Sequence, residues 1–318
     1  MISIISLSVV FYFADINQLI VALRLADYRF VLAGMGITLV WLSVRSIVWR
    51  ILLQEQASFR QIFFTLNEGY LLNNLLPFRL GEFGRAFLLG RKAGIGFWQV
   101  LSSILIERSL DMALAVGLLF STLPFVVGAA WARQAAIGVG GMMILVFSIL
   151  YLLARYRDWA SERFNNLSAR WSLLRKLGKT AVPAFLSGLA ILTDIRRFLL
   201  SVGWMVLNWL IAILQYYMFT LAFFSDARLV WACFGLGVVA MGVAAPSSPG
   251  AVGVLELSLV GALALFDLNP SVSLALAITI HLAQYLITGI LGAYALARDG
   301  ESLIGLYQQV RALRKENN

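Results

Sequence analysis

The chain has 318 residues, of which 61% are hydrophobic and only 13% carry a charge. A mean hydropathy of +0.86 lies far outside the range of water-soluble globular proteins, so we expect an integral membrane protein. The net charge of +9 lies in connecting loops, which fits the positive-inside rule and argues against nucleic acid as a partner.

Six segments are long and apolar enough to cross a bilayer, which requires about 20 residues. We expect these spans at 2–23, 28–49, 97–121, 134–153, 198–224 and 272–297. The first lacks a basic segment and a small-residue cleavage pattern, so we expect a retained helix and not a signal peptide. No stretch is long and polar enough for a separate soluble domain. Residues 1–318 are therefore predicted to form one all-α transmembrane domain.

Two further regions, 61–95 and 229–266, each have room for two short helices with Pro and Gly between them. The breaks are "LPFRLGEFG" and "APSSPGAVG". Proline lacks an amide hydrogen and clashes with the preceding turn, so a continuous helix through either place is disfavoured. We predict two broken helical hairpins that enter from opposite faces, an arrangement typical of a transporter with its substrate site between them.

Charge fixes the predicted orientation. The basic stretch 155–179 and the C-terminal tail are expected in the cytoplasm, which also places the N-terminus there. We therefore predict a multi-pass protein of the cytoplasmic membrane. The amphipathic stretch 183–197, which ends in Arg196 and Arg197, is predicted to be a helix on the cytoplasmic surface.

The first charged motif follows Pro77. If a helix resumes there, Glu82 shares a face with both Arg79 and Arg85. One arginine is then left over, and a planar guanidinium suits a phosphate or carboxylate. The alternative is structural: Arg85 reaches the cytoplasmic interface, and Arg79 pairs with Glu82.

The second motif is "IERSLD", with Glu107, Arg108 and Asp111 inside the predicted span 97–121. Glu107 lies about 15 Å along this helix, close to the middle of the bilayer. These groups are candidates for contact with a charged headgroup. The alternative is an ion-pair network that ties the helix to the first broken region through Arg79 or Arg85.

The third motif is "PSSPGAVGVLE". Ser248 as N-cap with Pro249 at the first helical position predicts a helix start. The free amides of such a start suit an anionic headgroup. Candidate headgroup ligands here are Ser247, Ser248, Gly250 and Glu256. The alternative is a tight turn between packed helices.

His281 is the only histidine, and it lies in the last predicted span. A hydrogen-bonded structural role is the simplest expectation, with a proton relay as the alternative; a metal site is not expected because no second histidine is present.

Asn74 is a secondary candidate ligand. The single cysteine, Cys233, excludes an intramolecular disulfide. Enzyme signatures are absent, so no catalytic residue, metal or cofactor is predicted.

Together the motifs resemble a known family. Asn74 or its neighbour Asn73, the run from Pro77 to Arg85, then "ERSLD" and "PSSPGAVGVLE", are similar to the flippase-type transmembrane domain of lysylphosphatidylglycerol synthases. The resemblance covers nearly the whole chain. It implies a stand-alone member that moves phospholipid between leaflets, without the soluble domain that transfers the aminoacyl group.

The predicted function is therefore translocation or binding of a membrane lipid with a charged, phosphate-containing headgroup. The alternative is a membrane enzyme, or an accessory subunit, that acts on lipid-linked sugars with a glycosyltransferase. A glycosyltransferase and a second copy of this chain are the candidate protein partners.

Overall fold

The computed structural model of the protein describes residues 2–126, 130–168, 172–244 and 248–300. Throughout these ranges the regular structure is helical. The helices are α1 Ile2–Phe13, α2 Ile16–Leu25, α3 Tyr28–Leu52, α4 Phe59–Leu75, α5 Leu80–Ala93, α6 Phe97–Thr122, α7 Ala130–Arg155, α8 Arg157–Ser168, α9 Ser172–Gly188, α10 Ile195–Phe223, α11 Leu229–Ala244, α12 Val254–Ala264 and α13 Pro270–Arg298.

Three helices in the described part of the chain are long and apolar enough to cross a membrane: α3, α10 and α13. The bent pair Gly140–Arg155 and Arg157–Leu167 would be a fourth. Helix α6 has sufficient length, but each of its 18-residue windows contains the three charges of the second motif. The count of six full spans therefore stays a prediction.

The predicted first span, 2–23, is wrong as a single helix. The chain breaks between α1 and α2 because Asp15 caps α2, accepting hydrogen bonds from the backbone N–H groups of Asn17 and Gln18. The N–H of Asp15 itself donates to Ser271 Oγ over 2.8 Å, which anchors the break to α13.

The predicted surface helix 183–197 is also wrong. Helix α9 continues through Pro183, and a 3-10 turn over Leu189–Thr193 follows with most of its side chains buried. Asp194 then accepts a hydrogen bond from the N–H of Arg197 and starts α10. Arg196 and Arg197 thus lie in the first turn of a long helix.

The core is built along α3 and α10, which pack closely over much of their length. Gly34 permits this approach, because a Cβ there would lie 2.8 Å from the Phe219 ring. Helix α13 packs on α4 in the same way, with Gly292 against the backbone of Asn67. Each contact brings helices of the two halves of the chain together.

Both predicted breaks are present. Helices α4 and α5 flank a 3-10 turn at Pro77–Arg79, and α11 and α12 flank a second one at Pro249–Ala251. These two turns contact each other. The broken tips therefore meet, and residues of both line a shared cavity.

Candidate functional site

Backbone conformation places Arg79 at the tip of the first break. Phe78 and Arg79 have φ values of 58° and 54°, a left-handed conformation that side chains other than glycine rarely adopt. Two such residues in succession turn the chain sharply after Pro77. The Arg79 side chain then lines the cavity, and Phe78 is largely exposed.

The second tip also contains two successive residues with left-handed backbone conformation. Gly250 has φ +59° and Ala251 has φ 60°. A Cβ at Gly250 would lie 1.3 Å from Tyr285 Oη, so the backbone approaches α13 more closely than any other residue would permit.

The predicted helix start at Ser248 is present, with Pro249 in the first position, but it leads only into the 3-10 turn. The Ser248 side chain makes no cap and instead donates to the carbonyl of Val252 over 3.0 Å. Helix α12 begins at Val254, and Glu256 Oε2 accepts the N–H of Gly253 over 2.7 Å. The start moves because the left-handed residues at 250 and 251 interrupt the first turn. Ser247 lies outside the described residues.

Two carboxylates of the second motif, on α6, bind an arginine from α3. Arg45 Nε donates to Glu107 Oε1 over 2.7 Å, and its terminal nitrogens donate to both carboxylate oxygens of Asp111. Trp209 Nε1 donates to Asp111 over 3.2 Å. Arg45 and Glu107 are both buried. This cluster joins α3, α6 and α10.

Arg85 belongs to the same network from the side of α5. It donates to Glu107 Oε2 over 2.7 Å and lies 3.1 Å from Glu82. Its guanidinium also stacks over the Trp49 ring at 4.6 Å. Arg108 bridges Glu82 and Asp111, each at 3.2 Å. Arg85 is thus a structural member of the network and does not line the cavity.

The charges of this network do not balance. Four arginines, at positions 45, 79, 85 and 108, meet three carboxylates, at 82, 107 and 111, which leaves one positive charge in excess. The predicted Arg79–Glu82 ion pair is not formed, because the oxygens of Glu82 face Arg85 and Arg108. No carboxylate of the described residues lies within 4.0 Å of Arg79. The surplus charge is therefore Arg79, and it faces the cavity.

His281 and Glu256 connect α13 to the second tip. His281 Nδ1 lies 2.6 Å from Glu256 Oε1, and Nε2 lies 2.9 Å from the carbonyl oxygen of Gly250. A carbonyl can only accept, so Nε2 carries a proton. One further proton lies between Nδ1 and the carboxylate, which makes the pair neutral overall. The hydrogen-bonded role expected for His281 is confirmed; a proton relay stays a prediction.

The cavity between the tips has a volume of about 470 Å³. Of the predicted site residues it brings together Asn74, Arg79, Glu82, Arg108, Asp111, Ser248, Gly250 and His281, while Arg85, Glu107 and Glu256 lie behind its wall. Asn74 Nδ2 donates to Thr288 Oγ1 over 3.2 Å, joining α4 to α13. The apolar part of the lining comes mainly from α11, including Leu236, Val239 and Val243.

A second ion-pair cluster, separate from the cavity, ties the end of α13 to the first broken region. Lys92 donates to both oxygens of the buried Glu68 and lies 2.5 Å from Asp299. Arg298 stacks over the Phe64 ring at 3.8 Å. Burial raises the pKa of Asp299, but the hydrogen bonds from Lys92 and Arg298 outweigh it and hold that pKa below its usual range. This cluster fixes α13 to both α4 and α5.

Sequence reasoning missed Arg45 and Tyr216, among other residues of the site. Arg45 lies inside the predicted span 28–49, and a charge within a span was an available signal. Tyr216 lines the cavity with only 4% of its surface exposed, but its sequence context shows nothing to distinguish it. In the described part of the chain, no three His, Cys, Asp or Glu side chains are grouped as metal ligands.

Fold and site together define a helical membrane protein with a charged, cavity-lining arginine between two broken helices. The sequence profile of the lysylphosphatidylglycerol synthase TM region matches residues 1–292, and the chain belongs to this family. It is 22% identical over 305 residues to a UPF0104 membrane protein of Methanothermobacter thermautotrophicus, with 89% of each chain covered. No solved structure matches.

Proposed function

We propose that the protein binds a phospholipid through its anionic phosphate and carries the headgroup between the two leaflets of the cytoplasmic membrane. The observation that carries this proposal is Arg79, the one arginine of the network without a carboxylate within 4.0 Å among the described residues. A buried or half-buried arginine is costly without an anion, so a phosphate would stabilise the site as well as occupy it.

The roles within the network follow from its geometry. Arg45 and Arg85 hold Glu107 and Asp111, and so set the position of α6 relative to α3 and α5. Arg108 is 30% exposed along its side chain and lines the cavity beside Arg79. A phosphate bound to Arg79 would thus have a second guanidinium nearby, although Arg108 is already shared by Glu82 and Asp111.

The shape of the cavity supports a lipid as the ligand. The lining combines charged and polar side chains with apolar ones, so a headgroup and the start of an acyl chain would each meet matching surface. Non-helical backbone at both tips suits a site inside a membrane protein, where broken backbone is tolerated only beside protein or water.

Movement between leaflets would require the cavity to open to each side in turn. The two tips touch each other, and both contain left-handed residues that store backbone strain. In this proposal they separate and close again as the lipid passes, with the basic stretch 155–179 and both termini on the cytoplasmic side.

Reconstitution in liposomes tests the proposal. Phosphatidylglycerol and phosphatidylcholine with a fluorescent acyl chain are placed in separate vesicles, and dithionite then quenches only the label of the outer leaflet. We expect the protein to move phosphatidylglycerol, which carries a net negative charge, faster than the zwitterionic lipid. If both lipids stay in their leaflet at the rate of empty liposomes, translocation is wrong.

A further inference from the structure

We propose that the headgroup taken by this site is an uncharged polyol, a sugar or glycerol, joined to the lipid through a phosphodiester. This inference rests on the function proposed above and specifies its substrate class. It comes from further residues that line the cavity and were not needed to argue for phosphate binding.

The net charge of the site favours a ligand with a single negative charge. The network has one positive charge in excess and the His281–Glu256 pair is neutral, so a single phosphodiester balances the site. The carboxylates that line the cavity, Glu82 and Asp111, are already held by arginines. Among the described residues that line the cavity, no carboxylate is left to receive an ammonium group, and an aminoacylated headgroup with two amines would add a second surplus positive charge.

Uncharged polar groups line the same cavity as the surplus arginine. Asn73, Gln284, Tyr70 and Tyr285 line the cavity, and their side chains make no hydrogen bond to other described residues. Oδ1 of Asn73 is buried without a partner. Amide and hydroxyl groups both donate and accept, which matches the hydroxyl groups of a polyol.

Tyr216 supplies the independent observation. It is 4% exposed and lines the cavity, yet its hydroxyl has no hydrogen-bond partner in the part of the chain that the structure describes. A hydroxyl that the protein leaves unpaired at a cavity wall is open to a ligand, so this position is suited to a ligand group that donates or accepts a hydrogen bond. The neighbouring Gln215, by contrast, donates to Thr38 over 2.7 Å and is satisfied within the protein.

Aromatic side chains of the cavity also favour a sugar-like ring in the headgroup. Trp41, Tyr70, Trp209, Tyr216 and Tyr285 all line the cavity. Their faces are apolar and their edges polar, which suits a ring that presents C–H bonds on its faces and hydroxyl groups around its edge. The volume of about 470 Å³ lies within the range of small-molecule sites, enough for a headgroup of this size.

Binding to the full chain in phosphatidylcholine nanodiscs tests the inference. The probes are phosphatidylinositol and phosphatidylglycerol (polyol on phosphate), phosphatidic acid (phosphate alone), lysylphosphatidylglycerol (cationic) and glucosyl diacylglycerol (sugar without phosphate). We expect one or both of the first two to bind about 10-fold more tightly than each of the others. Their relative affinities distinguish a ring from glycerol.

A variant isolates the polyol contacts. Tyr216→Phe removes only the hydroxyl, so we expect it to weaken binding of the preferred polyol lipid about 3- to 10-fold and to leave phosphatidic acid unchanged. Tyr294→Phe is the matched control, because Tyr294 is 56% exposed and does not line the cavity. Unchanged phosphatidic acid binding also shows that the variant is folded.

The outcomes separate the two proposals. If phosphatidic acid or lysylphosphatidylglycerol binds as tightly as the polyol lipids, or if Tyr216→Phe has no effect on the polyol lipids, the polyol inference is overturned while phosphate binding stands. If no phosphate-containing lipid binds more tightly than glucosyl diacylglycerol, the proposed function falls as well.

Discussion

Arg85 donates a hydrogen bond to Glu107 over 2.7 Å, with 3% and 0% of their side chains exposed. The pair joins the helix after the first break to the helix that carries the second motif. The two arginines of "LPFRLGEFGR" therefore have different roles. Arg85 stabilises the helix packing, whereas the charge of Arg79 faces the cavity.

The first prediction concerns Glu107. Its carboxylate accepts from both Arg45 and Arg85, so Glu107→Gln leaves two buried guanidinium groups short of a counter-charge. We expect a loss of about 3 to 5 kcal/mol in the free energy of unfolding. Denaturant unfolding in detergent measures this, and Arg79→Gln, which removes no ion pair, should cost less than about 1 kcal/mol. Equal losses for the two variants would contradict the assigned roles.

The second prediction concerns the tip at Gly250. An alanine there would place Cβ 1.3 Å from Tyr285 Oη, in a conformation that costs about 1 to 2 kcal/mol for a residue with a side chain. We expect Gly250→Ala to lower the unfolding temperature of the purified protein. Gly203→Ala is the control, since nothing lies within 4 Å of that position in α10 and alanine favours a helix. A Gly250→Ala protein as stable as this control would mean that the tip is not packed as described.

The third prediction concerns Glu256. In Glu256→Gln the amide oxygen still accepts from Gly253 and the amide group donates to a neutral His281, so both contacts persist. In Glu256→Ala both are lost. We expect stability within about 0.5 kcal/mol of wild type for the glutamine variant and a loss of about 1 to 3 kcal/mol for the alanine variant, measured by denaturant unfolding. If the glutamine variant is as unstable as the alanine variant, the His281–Glu256 contact depends on an ion pair and neutral hydrogen bonds do not replace it.

Much of the fold was available from sequence because its signals are local. Proline and glycine marked both breaks, and long apolar runs predicted α3, α6, α10 and α13 to within a few residues. The break at Asp15 was missed because the apolar run continues across it, although aspartate is a strong N-cap residue. The start at Ser248 was predicted correctly, but the left-handed residues Gly250 and Ala251 limit it to a 3-10 turn and prevent a continuous α-helix.

The site could be predicted from the sequence only in part, because its contacts join residues that are far apart in the chain. Helical spacing placed Glu82 within reach of two arginines, but whether Arg79 or Arg85 would be paired depended on α6. Arg45 reaches Glu107 across 62 positions of sequence, which spacing rules do not address. Tyr216 is one of ten tyrosines, and only packing shows that its hydroxyl has no partner among the described residues.

The most direct test of the central claim, that Arg79 holds the lipid phosphate, is the affinity for phosphatidylglycerol measured by native mass spectrometry. Wild type is compared with Arg79→Gln and with Arg60→Gln, which removes the same charge from an exposed position in the first turn of α4. We predict an affinity about 10- to 100-fold lower for Arg79→Gln and an unchanged affinity for Arg60→Gln. Equal affinity in all three proteins would contradict the account.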